Sequence, residues 1–221
     1  MRIGLFGGTF NPIHFGHLRA ALEIKEAFSL DTLYIIPSAI PPHKNNIGLV
    51  KAIDRLEMIR LAVSDYRGFV VSDIELKRAG PSFTIDTVNH YKSTFPQDTR
   101  FHLIMGSDAF LEIDTWKSYS DLLRLISFII MVRPNGKWNT VSKLRQVVEE
   151  FLKDRISKGY VFSASRSGYF HANKQPIYIS NVTLIDISSS TIRKLINSGR
   201  SIQYLVPEKV EKYITSKGLY L

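Results

Sequence analysis

Two histidines three residues apart, His14 and His17, close the run Gly7-Gly8-Thr9-Phe10-Asn11-Pro12-Ile13-His14-Phe15-Gly16-His17. Paired glycines let backbone N–H groups approach an anion without side-chain obstruction, and the amides that open a helix carry partial positive charge. Helical periodicity starts at Leu18, so the run reads as a turn from a strand into a helix, a geometry suited to phosphate. At a helix start, this spacing allows both imidazoles to face one phosphate and donate hydrogen bonds to it. The bland reading is a glycine turn whose histidines cap or pack. Two other chemistries fit worse: zinc lacks the His-Glu-x-x-His spacing and a third ligand nearby, and Gly7, Gly8 and Gly16 do not make the Gly-x-Gly-x-x-Gly of dinucleotide binders.

Further donors come from two other segments. Pro41-Pro42-His43-Lys44 is a stiffened loop after an apolar run, and it holds a cation, Lys44, able to reach a polyphosphate, although a loop lysine alone is usually just solvated. Ile187-Ser188-Ser189-Ser190-Thr191-Ile192-Arg193 is a second helix start, rich in hydroxyls. Serines there cap helices, yet three of them with an arginine one turn in can also wrap a phosphate. Both turns serve one polyphosphate only if they face each other across a shared pocket.

The elements that must position these residues read as apolar runs alternating with helical patterns. Residues 3–6, 33–36, 69–71, 101–105, 128–132 and 183–187 read as buried strands. Leu18, Ala21, Leu22 and Phe28 share one helical face, as do Leu49, Ala52, Leu56, Ile59 and Val63. This alternation predicts an α/β fold, Rossmann-like and doubly wound, with a mainly parallel sheet covered by helices on both faces. Ligands in such sheets bind beyond the carboxyl ends of the strands, where the glycine turn lies. Residues 188–197 and 207–216 read as helices of a small C-terminal part, about 188–221, with Pro207 in the first turn of the last one. Residues 159–176 read as a loop or a short irregular strand pair with no assigned role.

At 221 residues, one domain spanning 1–221 is the expectation. Absence of cysteine excludes disulfides, thiolate metal sites and cysteine nucleophiles. No signal-like N-terminus or apolar stretch of about 20 residues is present, which points to a cytoplasmic protein with no membrane partner. The net charge of +9 implies attraction to polyanions: nucleic acid, an acidic membrane surface or phosphorylated small molecules. Lys137, Lys143, Arg145, Lys153, Arg155 and Lys158 are interrupted by Glu149, Glu150 and Asp154, the pattern of a solvated helix face.

Residues 7–17, 41–44, Gly106-Ser107-Asp108, Trp116, Arg133-Pro134 and residues 187–193 together resemble the bacterial nicotinate-nucleotide adenylyltransferases, over nearly the whole chain. The His-x-Gly-His element is shared by a wide nucleotidyltransferase superfamily and speaks for fold and chemistry; residues 83–87, the Gly106 to Trp116 spacing and Leu205-Val206-Pro207 resemble the pyridine-nucleotide branch. One departure is Ser190, which stands where the family usually has threonine; the hydroxyl is kept.

The resemblance implies transfer of AMP from ATP to nicotinate mononucleotide, with Mg2+ bound mainly through the ATP phosphates and pyrophosphate released. It implies that Gly7, Gly8, Thr9, Phe10, Ile187, Ser189 and Ser190 hold ATP, with Gly106 and Asp108 near its ribose. His14, His17, Lys44 and Arg193 are the donors assigned to catalysis. Trp116 is expected to stack on the nicotinate ring, helped by Thr84, with Arg133 near the nucleotide. Against these stand capping by Asp108 or Thr84 and plain packing of Trp116. Nicotinamide mononucleotide and phosphopantetheine are the alternative acceptors. A non-enzymatic nucleic-acid-binding module is the remote one; no nucleic-acid partner is expected, since the basic residues form no aromatic-interleaved stripe. Oligomeric state is left open.

Overall fold

The computed structural model describes residues 1–40, 48–132, 140–183 and 185–221. In chain order the first elements are β1 (Arg2–Gly8), α1 (Phe15–Ala27), β2 (Thr32–Pro37), α2 (Ala52–Val63), β3 (Phe69–Val71), α3 (Thr84–Thr94), β4 (Arg100–Gly106) and α4 (Ser107–Phe110). They are followed by α5 (Tyr119–Leu125), β5 (Ser127–Met131), α6 (Val141–Phe151), β6 (Val161–Ser163), β7 (Gly168–Phe170), β8 (Ile177–Ser180), α7 (Ser189–Asn197) and α8 (Glu208–Lys217).

Among the described residues the strands form one sheet ordered β3-β2-β1-β4-β5-β8-β7-β6. Pairing is parallel from β3 across to β8 and antiparallel through β7 and β6. Alternation along the central strands builds two cores. Ile3, Leu5, Phe101, Leu103 and Met105 face α3, α5 and α6, while Phe6, Leu33, Ile35 and Ile104 face α1, α2, α7 and α8. Helices therefore cover both faces, as the α/β reading requires. A Cβ on Gly4 would come within 2.8 Å of Ile104 and Leu30, so only glycine lets β1 sit this deep against its neighbours. The strand order reverses between β1 and β4, and their carboxyl ends, Gly8 and Gly106, open the crevice where such sheets take ligands.

Two expectations change. Of residues 183–187, the described ones, 183 and 185–187, lie in no strand: Glu23 takes both the amide of Thr183 (2.6 Å) and its hydroxyl (2.5 Å), and the Ile187 amide turns back to the Ile185 carbonyl (2.8 Å). Those groups are spent on the Glu23 side chain and on a tight turn, not on a neighbouring strand. The last parallel strand is instead β8, whose Ile177 and Ile179 enter the core beside β5. Within residues 159–176 the strand-pair alternative is the one present, since β6 and β7 pair as an antiparallel hairpin that extends the sheet. Pro207 precedes α8 as its N-cap and does not lie in its first turn; its carbonyl accepts from the amides of Val210 and Glu211. Among the described residues no helix is long and apolar enough to cross a membrane.

At the sheet edge away from the crevice, His102 on β4 lies 6.1 Å from the Phe28 ring and 6.2 Å from Tyr178, centroid to centroid. Ser127 Oγ donates to the Phe101 carbonyl (2.9 Å), so it receives the proton of His102 Nδ1 (2.7 Å). Burial, then Arg2 and Arg100, lowers the His102 pKa from 6.5 to about 4. Above pH 6.5 the imidazole is neutral whether folded or not and contributes no pH dependence. Between pH 6.5 and about 4 the unfolded chain binds the extra proton, so stability falls as pH falls, by up to about 1.4 kcal/mol per unit. Urea unfolding at pH 7.0 and 5.0 should show a larger stability loss for the wild-type chain than for His102→Phe.

Candidate active site

β1 runs directly into the glycine turn, and the turn is shaped by packing inside itself. Phe10 adopts a left-handed backbone, φ +48°, and its ring lies 2.8 Å from where a Gly8 Cβ would stand. Gly8 is thus glycine to admit a side chain of its own turn, whereas a Cβ on Gly7 would meet nothing within 4 Å. Both Gly7 and Gly8 line the cavity described below. The Phe10 ring also supports His17, at 5.1 Å edge to face, and His17 stacks on His14 at 3.7 Å. Gly16 allows this stack, since a Cβ there would come 3.1 Å from the His14 ring. His14 is only 5% exposed, yet both imidazoles line a cavity of about 720 Å³ at the crevice between β1 and β4. At the start of α1 the Phe15 amide goes to the Leu205 carbonyl and the His17 amide to that of His14, so this helix end is less open than its sequence implies.

The three serines of the late turn divide the work. Ser188 caps α7, its hydroxyl accepting from the Thr191 amide (3.1 Å). Ser189 Oγ donates to the Pro12 carbonyl (2.8 Å), and Arg193 Nη1 donates to the Asn11 carbonyl (2.8 Å) while Nη2 reaches Ser190 Oγ (3.4 Å). Residues nearly 180 positions apart are therefore joined, and both turns line the same cavity. The required juxtaposition is present.

The opposite wall is built by the start of α3 and the segment after α4. Thr84 and Trp116 line it, with Gly106 and Asp108 at the end of β4 between the two walls. Neither polar residue caps a helix: the N-cap of α3 is Phe83 and that of α4 is Gly106. Trp116 packs partly against the core and partly faces the cavity. Lys117 lies 4.6 Å over the Phe83 ring and 3.5 Å from the Asp86 carboxylate. In this wall is a carboxyl that sequence reasoning missed. Glu75, 8% exposed, accepts from Thr87 Oγ1 (2.8 Å), which in turn accepts from Arg78 Nη2 (2.8 Å), and Ser82 hydrogen-bonds the same carboxyl group. Burial raises the Glu75 pKa, against the lowering effect of these hydroxyls and of Arg78 and Arg55.

The cavity thus brings together Gly7, Gly8, Thr9, Phe10, His14, His17, Thr84, Gly106, Asp108, Trp116, Ile187, Ser189, Ser190 and Arg193. Lys44 and Arg133 lie outside the described residues. Sequence reasoning also missed Asn11 as a junction. Its Nδ2 donates to the Gly48 carbonyl (2.8 Å), and its Oδ1 accepts from the Val50 amide (3.3 Å) and the Tyr220 hydroxyl (2.9 Å). A polar residue inside a glycine turn was the available signal, but its partners are distant in sequence. Among the described residues no group of three His, Asp or Glu side chains is arranged to hold a metal ion.

A sequence profile described as cytidylyltransferase-like matches residues 5–195. A protein of Desulfatibacillum aliphaticivorans, named a probable nicotinate-nucleotide adenylyltransferase, is 45% identical over the full length of both chains. One of the same name from Geobacter sp. strain M21 is 42% identical, covering all of this chain and 99% of that one. Among solved structures, the Plasmodium falciparum nicotinic acid mononucleotide adenylyltransferase complexed with NaAD superposes with a TM-score of 0.73 at 19% identity, over 99% of this chain and 97% of that one, a likeness of fold.

The Tyr220 hydroxyl is buried, which raises its pKa well above the usual phenol range, and it donates to Asn11. Tyr220→Phe removes that one donor and leaves the ring. The expected loss is about 1 kcal/mol of stability, read as a lower urea midpoint at unchanged m-value.

Proposed function

The chain belongs to the cytidylyltransferase-like family, and within it to the nicotinate-nucleotide adenylyltransferases, and on that footing we propose that it transfers AMP from ATP to nicotinate mononucleotide. The observation that carries this reading is the pair of helix-entry turns, before α1 and before α7, bridged by Ser189 and Arg193 along one cavity. ATP lies along the turns, with its phosphates toward His14, His17, Ser190 and Arg193 and its ribose toward Gly106 and Asp108. The mononucleotide lies against Thr84 and Trp116, whose indole stacks on the pyridine ring. The ammonium of Lys117 and the positive end of α3 favour a carboxylate on that ring over an amide. Lys44 and Arg133 are assigned to the nucleotide on sequence grounds alone.

The acceptor phosphate attacks the α-phosphorus of ATP in line, forming the new P–O bond as the bond to pyrophosphate breaks. No protein nucleophile takes part. Charge accumulates on phosphoryl oxygens in the transition state, so the protein's contribution is to orient both substrates and to hold fixed donors against those oxygens. The stacked imidazoles suit this work because Phe10 and Gly16 immobilise them. Magnesium would supply charge neutralisation to the triphosphate when bound, held mainly by the nucleotide's own oxygens and water.

Pyrophosphate release with ATP, magnesium and each mononucleotide tests the assignment. The acid should turn over with the higher kcat/KM; no release with either nucleotide would refute the reading. His17→Ala should stay folded and lose about 10²–10³ in kcat, and near wild-type turnover would remove the histidine pair from the mechanism.

A further inference from the structure

Arg55 is fully buried within α2, at 0% exposure, and none of its hydrogen bonds among the described residues goes to a carboxylate. Its guanidinium is divided among three backbone carbonyls from separate segments: Nη1 to Thr9 (2.8 Å), Nη2 to Ala39 (3.0 Å) and Nε to Val50 (3.3 Å). Burying a cation is costly, so a guanidinium whose hydrogen bonds among the described residues all go to carbonyls points to a use beyond packing. Thr9 belongs to the glycine turn. Ala39 follows β2, and its amide donates to Ser82 Oγ (2.9 Å), which hydrogen-bonds Glu75. Ser82 leads directly into Phe83 and Thr84 at the start of α3. One side chain therefore ties the wall assigned to ATP to the wall assigned to the acceptor, and the peptide at Ala39 is held between the opposite charges of Arg55 and Glu75.

We propose that Arg55 is a positioning residue that sets the spacing of the two substrates by fixing the Thr9 and Ala39 carbonyls to one rigid fork. The inference rests on the two-substrate reading above. An in-line displacement needs the attacking oxygen within near-contact distance of phosphorus, and a misplacement of about 1 Å costs on the order of 100-fold. Only arginine can serve this geometry, because its planar fork directs five donors outward, whereas lysine concentrates three at a point. Each wall can keep its own ligand without Arg55, but the two ligands are then no longer held in register.

The test compares the wild-type chain, Arg55→Lys and Ser82→Ala, with turnover normalised to the number of ATP-binding sites measured by calorimetric titration. Wild-type turnover itself tests the two-substrate reading, so failure there is separate from failure here. Arg55→Lys is expected to keep its affinity for ATP alone within about threefold while kcat per site falls about 10- to 100-fold. Ser82→Ala, which cuts the tie on the acceptor side only, should raise the acceptor KM and lower kcat with ATP affinity unmoved. The proposal is overturned if Arg55→Lys turns over within twofold of wild type per binding site, or if its loss is wholly accounted for by fewer sites. Should Arg55→Lys fail to fold, Ser82→Ala decides: unchanged acceptor KM and kcat would overturn the proposal.

Discussion

The carbonyls of Asn11 and Pro12 accept hydrogen bonds from Arg193 and Ser189, and the two substrate-facing turns stand in register because of that contact. Each turn alone is an ordinary passage from extended chain into a helix. Joined, they make one concave wall, and the geometry of everything else in the cavity is referred to it. The bonds are partly buried, and one of them is charge-assisted, the class of hydrogen bond worth most in a protein. Their acceptors sit in a turn that has few conformations left, because Phe10 already fills the space above Gly8.

Around that contact the molecule spends buried polar groups in an unusual pattern. Asn11 is satisfied by Gly48, Val50 and Tyr220, Arg55 by Thr9, Ala39 and Val50, and Glu75 by Thr87 and Ser82. All of these connect loops at the carboxyl edge of the sheet. A loop edge cannot be rigidified by apolar packing alone, since its backbone groups need partners that the sheet does not supply. The opposite end of the strands is different in character: His102 is partly buried among aromatic rings and kept neutral. Packing stabilises that end, whereas hydrogen bonding positions groups at this one.

Much of the fold was legible because its signals are local. Ile3, Leu5 and Phe6, Leu33 and Ile35, and Phe101, Leu103 and Met105 entered the cores as their apolar runs implied, and the helical faces of α1 and α2 packed as their spacing implied. The strand expected at residues 183–187 failed because an apolar run says nothing about who takes the backbone donors, and there the Thr183 amide goes to Glu23 and the Ile187 amide to the Ile185 carbonyl. Conversely, β8 hides in a short polar neighbourhood, and its place between β5 and β7 is set by pairing. Arg55 was invisible for a related reason: inside the amphipathic pattern of α2 it reads as one more solvated cation.

By itself the sequence determined the α/β class, the glycine turn with its paired histidines and the serine-rich start of α7, because each is a property of neighbouring residues and their periodicity. Tertiary structure alone decided that these turns share a cavity, that Gly8 yields its space to Phe10, and that Arg55 and Asn11 join segments as much as 46 and 209 residues apart. Periodicity records that a residue faces something apolar, but not which element it meets. Hydrogen bonds between distant loops leave no periodic trace at all, since their partners are selected by the way the sheet brings its carboxyl ends together.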